Sequence, residues 1–147
     1  MQLSKDFKEF IGLLNAHKVQ YLVVGGYAVA VHGFPRATGD IDFWVNPVTE
    51  NASRIVKALT DFGFGALDVN TEDFLKEDYV VQLGYPPYRI DLITGVSGLR
   101  FEECYASRKE VDFEGEMINF ISLYHLRINK KKTGRDKDNL DLKNLPE

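Results

Sequence analysis

The sequence contains a single cysteine, Cys104, which excludes an intramolecular disulfide and a cysteine-rich zinc site. It also lacks a long apolar run: the longest, at residues 21–31, contains two glycines and falls far short of the ~20 residues that span a bilayer. The first ten residues carry charges where a secretory signal would be apolar. We therefore expect a cytoplasmic protein with no membrane partner, and a buried, unreactive thiol at Cys104.

The composition is that of an ordinary globular protein. Of the 147 residues, 44% are hydrophobic and 27% are charged, which excludes a disordered chain. A chain of this length buries roughly two-thirds of its unfolded surface, enough for one core without disulfides or a structural metal. We expect a single domain over residues 1–147, with a C-terminal helical segment at about 122–147.

The charge is unevenly distributed along the chain. The net charge is −4, yet residues 125–143 carry seven Lys and Arg against three Asp. An acidic body with a basic C-terminal segment suits a polyphosphate or nucleic-acid ligand. A solvated helix face explains the same charges, so charge alone leaves both interpretations open.

Hydrophobic periodicity predicts a mixed α/β fold. Apolar residues on one face predict helices over 4–17, behind a capping Ser4, and over 51–62. A small, weakly polar stretch predicts a helix over 27–32, a capping Ser122 predicts one through 132, and a further short helix follows Gly134 over 136–145. Period-two alternation and β-prone runs predict strands over 21–24 and 40–45, and two hairpins over 79–93 and 111–121. In the strand at 40–45 we expect one face in water and one in the core. The order of the elements implies a mixed β-sheet with helices packed on it.

Two aspartates stand two residues apart on one predicted strand. Asp40 and Asp42 therefore project from the same face, where two like charges ~4 Å apart repel by about 4 kcal/mol at an effective dielectric near 20. Such a pair favours a cation or a shared proton, and Mg²⁺ or Mn²⁺ suits a site made of carboxylates. Alone, the pattern also fits a surface strand with two solvated aspartates.

Gly25 and Gly26 lie between a predicted strand and a predicted helix. A turn without side chains lets phosphate oxygens approach backbone N–H groups. A tight turn with close packing would equally require glycine. Thirteen residues separate Gly26 from Asp40, which is about one helix and its turn, so the chain returns with the aspartates beside the glycines.

In this combination the sequence resembles the DNA polymerase β-like nucleotidyltransferase superfamily. Residues 24–45 read VGGYAVAVHGFPRATGDIDFWV, a glycine turn followed across a helix by Asp-x-Asp on a strand. The third carboxylate of the pattern would be Asp91 in YRIDLI at 88–93. The segment KKTGRDKDNLD at 131–141 is similar to the ending of small bacterial nucleotidyltransferase-like proteins, including toxins of toxin–antitoxin and abortive-infection systems.

The resemblance implies a nucleotidyltransferase fold and a metal-dependent enzyme. It would transfer a nucleoside monophosphate from an NTP to a hydroxyl of RNA, protein or a small molecule. Asp40, Asp42 and Asp91 would be catalytic and would bind two Mg²⁺ or Mn²⁺ ions, with Asp91 completing the shell of one ion and accepting the proton. Lys132 and Arg135 would neutralise phosphate charge.

By the same resemblance, Gly25 and Gly26 would bind the nucleotide through their backbone, and Arg36 and Thr38 lie where a loop could reach the phosphates. The alternative from a different class is a noncatalytic module that keeps the fold and binds a protein partner, for example in a toxin–antitoxin system. A structural cation site at 136–141 lacks the glycine and the terminal glutamate of a calcium-binding loop.

Overall fold

The computed structural model describes residues 3–35, 38–65, 69–85 and 88–147. Its α-helices are α1 Lys5–Ala16, α2 Gly25–Val31, α3 Thr49–Leu59, α4 Phe101–Ala106, α5 Leu123–Thr133 and α6 Asp136–Asn144, and its strands are β1 Tyr21–Val24, β2 Ile41–Val45, β3 Val80–Leu83, β4 Ile90–Ile93, β5 Lys109–Phe113 and β6 Glu116–Phe120. A π-helical turn at Thr60–Phe64 and a 3₁₀ helix at Thr71–Leu75 follow α3. In the described part of the chain, no helix has the length and apolarity needed to cross a membrane.

The six strands form one mixed sheet in the order β3-β4-β2-β1-β6-β5. The two predicted hairpins are confirmed as the antiparallel pairs β3–β4 and β5–β6; part of the first connection, at 86–87, lies outside the described residues. In the centre, β2 pairs antiparallel with β1 and parallel with β4. The mixed α/β sheet expected from the sequence is therefore confirmed. Strand β2, which carries Asp42, lies between β1, which precedes the two glycines, and β4, which carries Asp91.

Helices begin where the sequence places capping serines. Ser4 accepts a hydrogen bond from the N–H of Phe7 at 3.1 Å and begins α1, and Ser122 accepts one from the N–H of His125 at 3.2 Å and begins α5. The apolar face of α1 lies in the core beneath the sheet. Local signals were therefore sufficient for these two helix starts.

The expectation of a wet face on β2 is wrong beyond Asp42. Trp44, on the same face as Asp42, is only 2% exposed, because the ring of Phe101 packs against it edge to face at 5.2 Å. Phe101 begins α4, a six-residue helix that we did not predict. This helix covers Trp44 and restricts the wet part of the strand to its beginning, at Asp40 and Asp42.

Cys104 in α4 is fully buried. Burial raises the pKa of its thiol to about 11, with a smaller contribution from the charge of Glu103. The expectation of a buried cysteine is confirmed, and burial favours the protonated thiol, which is the less reactive form.

Candidate functional site

Sheet register places the second and third carboxylates side by side. Asp42 of β2 lies directly opposite Asp91 of β4 in the parallel pair, and neighbouring strands are ~4.8 Å apart. Asp40 immediately precedes β2 and lies on the same side as Asp42. The three aspartates expected to converge are thus brought together by the pairing of two strands that are distant in sequence.

The glycine turn touches this cluster. Val24 lies opposite Asp42 in the β1–β2 ladder, so the next residue, Gly25, lies beside the Asp42 carboxylate. Gly25 has a φ of +69°, and a Cβ at this position would collide with Asp42 Oδ2. At Gly26 a Cβ would lie 2.7 Å from Thr38 Oγ1. Backbone conformation and packing therefore require glycine at position 25, and close packing against Thr38 favours it at position 26. Contact of either glycine with phosphate stays a prediction.

An arginine that sequence reasoning missed is bound to two of the aspartates. Arg89 donates from Nε to Asp91 Oδ1 at 2.8 Å and from Nη2 to Asp91 Oδ2 at 3.0 Å, a two-pronged ion pair. The same Nη2 lies 3.1 Å from Asp40 Oδ2. Arg89 stands two residues before Asp91, the spacing that puts both on one face of an extended chain, and that spacing was the available signal.

The cluster holds an excess of negative charge. The pKa of Asp42 is raised to about 6 by its burial, by the charge of Asp91, by a hydrogen bond with Asp91 that only a protonated carboxyl can donate, and by the charge of Asp40. Hydrogen bonding to Asp91 in turn raises the pKa of Arg89. Asp42 therefore holds a proton more readily than an ordinary aspartate, and a proton or another cation stabilises the cluster.

These residues fit a divalent ion only in part. All donors are carboxylate oxygens, which Mg²⁺ and Mn²⁺ prefer, and three carboxylates beside the one guanidinium of Arg89 leave negative charge to be balanced. Among the residues that the structure describes, however, no three His, Cys, Asp or Glu side chains are arranged to ligate one ion. One or two carboxylates with substrate phosphate oxygens are a common donor set for Mg²⁺, and Asp40 with Asp42 fits that set.

The C-terminal helices bring cations to the other wall of the same cavity. The cavity has a volume of about 400 Å³. Its lining comprises the two glycines, Thr38, the three aspartates and Arg89 on the sheet side, and Lys130, Arg135 and Lys137 on the helix side. An acidic wall thus faces a basic one across a space beside the glycine turn.

Lys130 is held by two buried carboxylates. It is 3% exposed, and its Nζ lies 3.2 Å from Asp138 Oδ1 and 3.1 Å from Asp141 Oδ2. Arg135 Nε lies 2.7 Å from Asp138 Oδ2. Burial alone would raise the pKa of Asp138, but hydrogen bonds from Arg135, Thr133 and Lys130 hold it well below its usual value. The two aspartates therefore bind protein cations, which leaves no structural metal site at 136–141.

The lysine that lines the cavity lies two positions before the lysine expected to bind phosphate. Lys132 is exposed, packs its aliphatic chain against Gly98, and is absent from the described lining of the cavity. Lys130 takes that place because it lies one helical turn after the buried Leu126, on the inward face of α5. Arg135 and Thr38 do line the cavity, whereas Arg36 lies outside the described residues.

Comparison with known proteins agrees with this geometry. A family model described as "Nucleotidyltransferase of unknown function (DUF6036)" matches residues 1–145, and the chain belongs to this family. No curated protein matches the sequence.

Two solved structures are similar in fold. TM1012 from Thermotoga maritima, classed provisionally as a nucleotidyltransferase, has a TM-score of 0.61 at 16% identity, covering 93% of this chain and 88% of its own. The lincosamide antibiotic adenylyltransferase LnuA, solved with lincomycin bound, has a TM-score of 0.56 at 17% identity, covering 97% of this chain and 95% of its own. At these identities the likeness shows a common fold.

Proposed function

We propose that the protein transfers a nucleoside monophosphate from an NTP to a hydroxyl acceptor at the cavity between the sheet and the C-terminal helices. The observation that carries this proposal is the convergence of Asp40, Asp42 and Asp91 with three basic side chains around one cavity beside the glycine turn. A triphosphate has the charge and the size that suit a space with one acidic and one basic wall.

Each wall has its own task in this proposal. Asp40 and Asp42 would hold a divalent ion, Mg²⁺ or Mn²⁺, which supplies Lewis-acid stabilisation of the phosphates when bound. Arg135 and Lys137 would bind phosphate oxygens from the opposite wall and orient the leaving group. Lys130 would hold this wall together through its ion pairs with Asp138 and Asp141.

The transfer forms a bond between the acceptor oxygen and the α-phosphorus, and it breaks the bond between the α-phosphorus and the pyrophosphate oxygen. The proton of the acceptor hydroxyl goes to Asp91, which would act as the general base. Pyrophosphate leaves toward the basic wall, where Arg135 and Lys137 neutralise its charge.

The acceptor class is RNA, a protein or a small molecule. LnuA is an adenylyltransferase whose structure holds an antibiotic, which gives the small-molecule arm of the proposal a precedent in the same fold. A protein partner of the toxin–antitoxin kind enters the proposal through the similarity of the C-terminal segment alone. A cytoplasmic location enters it through the single cysteine, which suits a reducing compartment.

The test is a screen with the four NTPs, each labelled at the α-phosphorus, in Mg²⁺ or Mn²⁺. Total RNA, a protein extract and a metabolite extract serve as acceptors, and the wild type is compared with Asp42→Asn. Asp6→Asn, an exposed aspartate of α1, is the matched control. We expect label transfer by the wild type and the control, and none by Asp42→Asn. No transfer from any NTP by the folded wild type would favour the noncatalytic module.

A further inference from the structure

Arg89 lies between the two outer carboxylates of the acidic wall. It binds both oxygens of Asp91, at 2.8 and 3.0 Å, and one oxygen of Asp40 at 3.1 Å. Its side chain is 25% exposed, so these contacts are partly shielded from water. Arginine stays charged at any pH in the physiological range. A permanent cation therefore bridges Asp40 and Asp91.

Arg89 occupies the position between Asp40 and Asp91 in which a metal ion would bridge the two carboxylates. A guanidinium that takes both Asp91 oxygens leaves little room for an ion on Asp91, and the carboxylates that remain for a metal are Asp42 and the second oxygen of Asp40. The absence of a three-ligand group among the described residues agrees with this division.

Charge balance also assigns Asp91 to Arg89 and leaves Asp40 and Asp42 for a metal ion. The three aspartates carry three negative charges when ionised, and Arg89 neutralises one of them. One divalent ion neutralises the other two. Lys130 does not enter this balance, because Asp138 and Asp141 already bind its ammonium group.

We propose that Arg89 is the second cation of this site, so that the protein binds one divalent ion, on Asp40 and Asp42, instead of a pair. This inference rests on the proposed function, since it concerns the same cavity. Arg89 holds Asp91 in place and supplies fixed positive charge beside the reacting phosphate, a role that needs no second ion.

The test counts Mn²⁺ ions per chain by electron paramagnetic resonance. The protein is titrated first with Mn²⁺ alone and then with Mn²⁺ and saturating α,β-methylene-ATP. If the protein does not bind the adenine nucleotide, the titration with Mn²⁺ alone still gives the number of ions per chain. Two Mn²⁺ ions about 3.5–4 Å apart would also produce a spin-coupled signal that a single ion lacks. The variants are Arg89→Met, which removes the charge, and Arg89→Lys, which keeps it. Arg54→Met is the control, because Arg54 pairs with Glu50 on the surface of α3.

We expect one Mn²⁺ per chain and no coupled signal for the wild type, Arg89→Lys and Arg54→Met, and two Mn²⁺ with a coupled signal for Arg89→Met. Two ions in the wild type would overturn the inference, as would a folded Arg89→Met that binds only one. The wild-type count and Arg89→Lys decide the matter even if Arg89→Met fails to fold. Label transfer by a wild type that binds two ions would retain the proposed function and reject only the role of Arg89.

Discussion

Gly25 lies directly against the carboxylate of Asp42, with no room for a side chain between them. This contact joins the turn after β1 to the acidic wall on β2, and it follows from the β1–β2 register that pairs Val24 with Asp42. The glycine turn and the carboxylates are therefore one structural unit.

Replacing Gly25 by alanine tests that unit. The substitution forces a φ of +69° on a residue with a Cβ and drives the Cβ into Asp42, so we expect a loss of about 1–3 kcal/mol in the free energy of unfolding and a loss of NTP binding. Urea unfolding and calorimetry measure the two effects. Gly115→Ala is the control: its φ is +88° and a Cβ there would meet no atom within 4 Å. If Gly25→Ala lowered the free energy of unfolding no more than Gly115→Ala does, the predicted collision of the Cβ with Asp42 would be contradicted.

The raised pKa of Asp42 predicts a pH dependence of stability. The folded protein holds this proton with a pKa of about 6 and the unfolded chain with one near 3.8. The folded state thus binds more protons between pH 4 and pH 6, so its free energy of unfolding falls as the pH rises through this window and stays lower above it.

At 1.36 kcal/mol per pKa unit, Asp42 costs the folded protein at most about 3 kcal/mol at neutral pH. We expect Asp42→Asn to lack this loss and to gain stability relative to the wild type on going from pH 4 to pH 7. Parallel urea titrations at the two pH values measure the difference. Identical pH profiles for the two proteins would contradict the predicted excess of negative charge.

The buried position of Lys130 predicts that it matters more than its neighbour. Lys130→Met removes the ammonium group that Asp138 and Asp141 bind, and breaking a buried ion pair on one side typically costs about 3–5 kcal/mol. Lys132→Met, on the exposed side of the same helix, should change stability by less than about 0.5 kcal/mol. Thermal and urea unfolding of both variants measure the difference in stability. Equal effects of the two substitutions would contradict the buried position of Lys130.

The part of the fold that the sequence predicts is the part set by local chemistry. The capping serines and the hairpin at 111–121 depend on residues near one another in the chain, and the structure confirms them. The strand at β2 is confirmed as well, but its wet face extends only as far as Asp42. The position of the two glycines directly after β1 is also a local pattern, but α2 begins at Gly25 and not at residue 27 as the sequence predicts.

The features that the sequence does not predict depend on contacts between segments that are distant in the chain. Arg89 acquires its role only because β4 pairs in parallel with β2, which places it beside Asp40, 49 positions earlier in the sequence. The six-residue helix α4 has too few turns to show a periodic pattern, yet Phe101 within it buries Trp44. Lys130 was distinguishable from Lys132 by its spacing from Leu126, a signal that the run of three lysines obscured.

The central claim is that the acidic wall, the glycine turn and the basic wall form one NTP site. Isothermal titration calorimetry of nonhydrolysable analogues of the four NTPs in Mn²⁺, with wild type, Asp42→Asn and Asp6→Asn, tests it most directly. We predict that at least one analogue binds the wild type and Asp6→Asn equally well and binds Asp42→Asn at least tenfold more weakly. Equal binding by the wild type and Asp42→Asn, or no binding of any analogue to the folded wild type, would contradict the account.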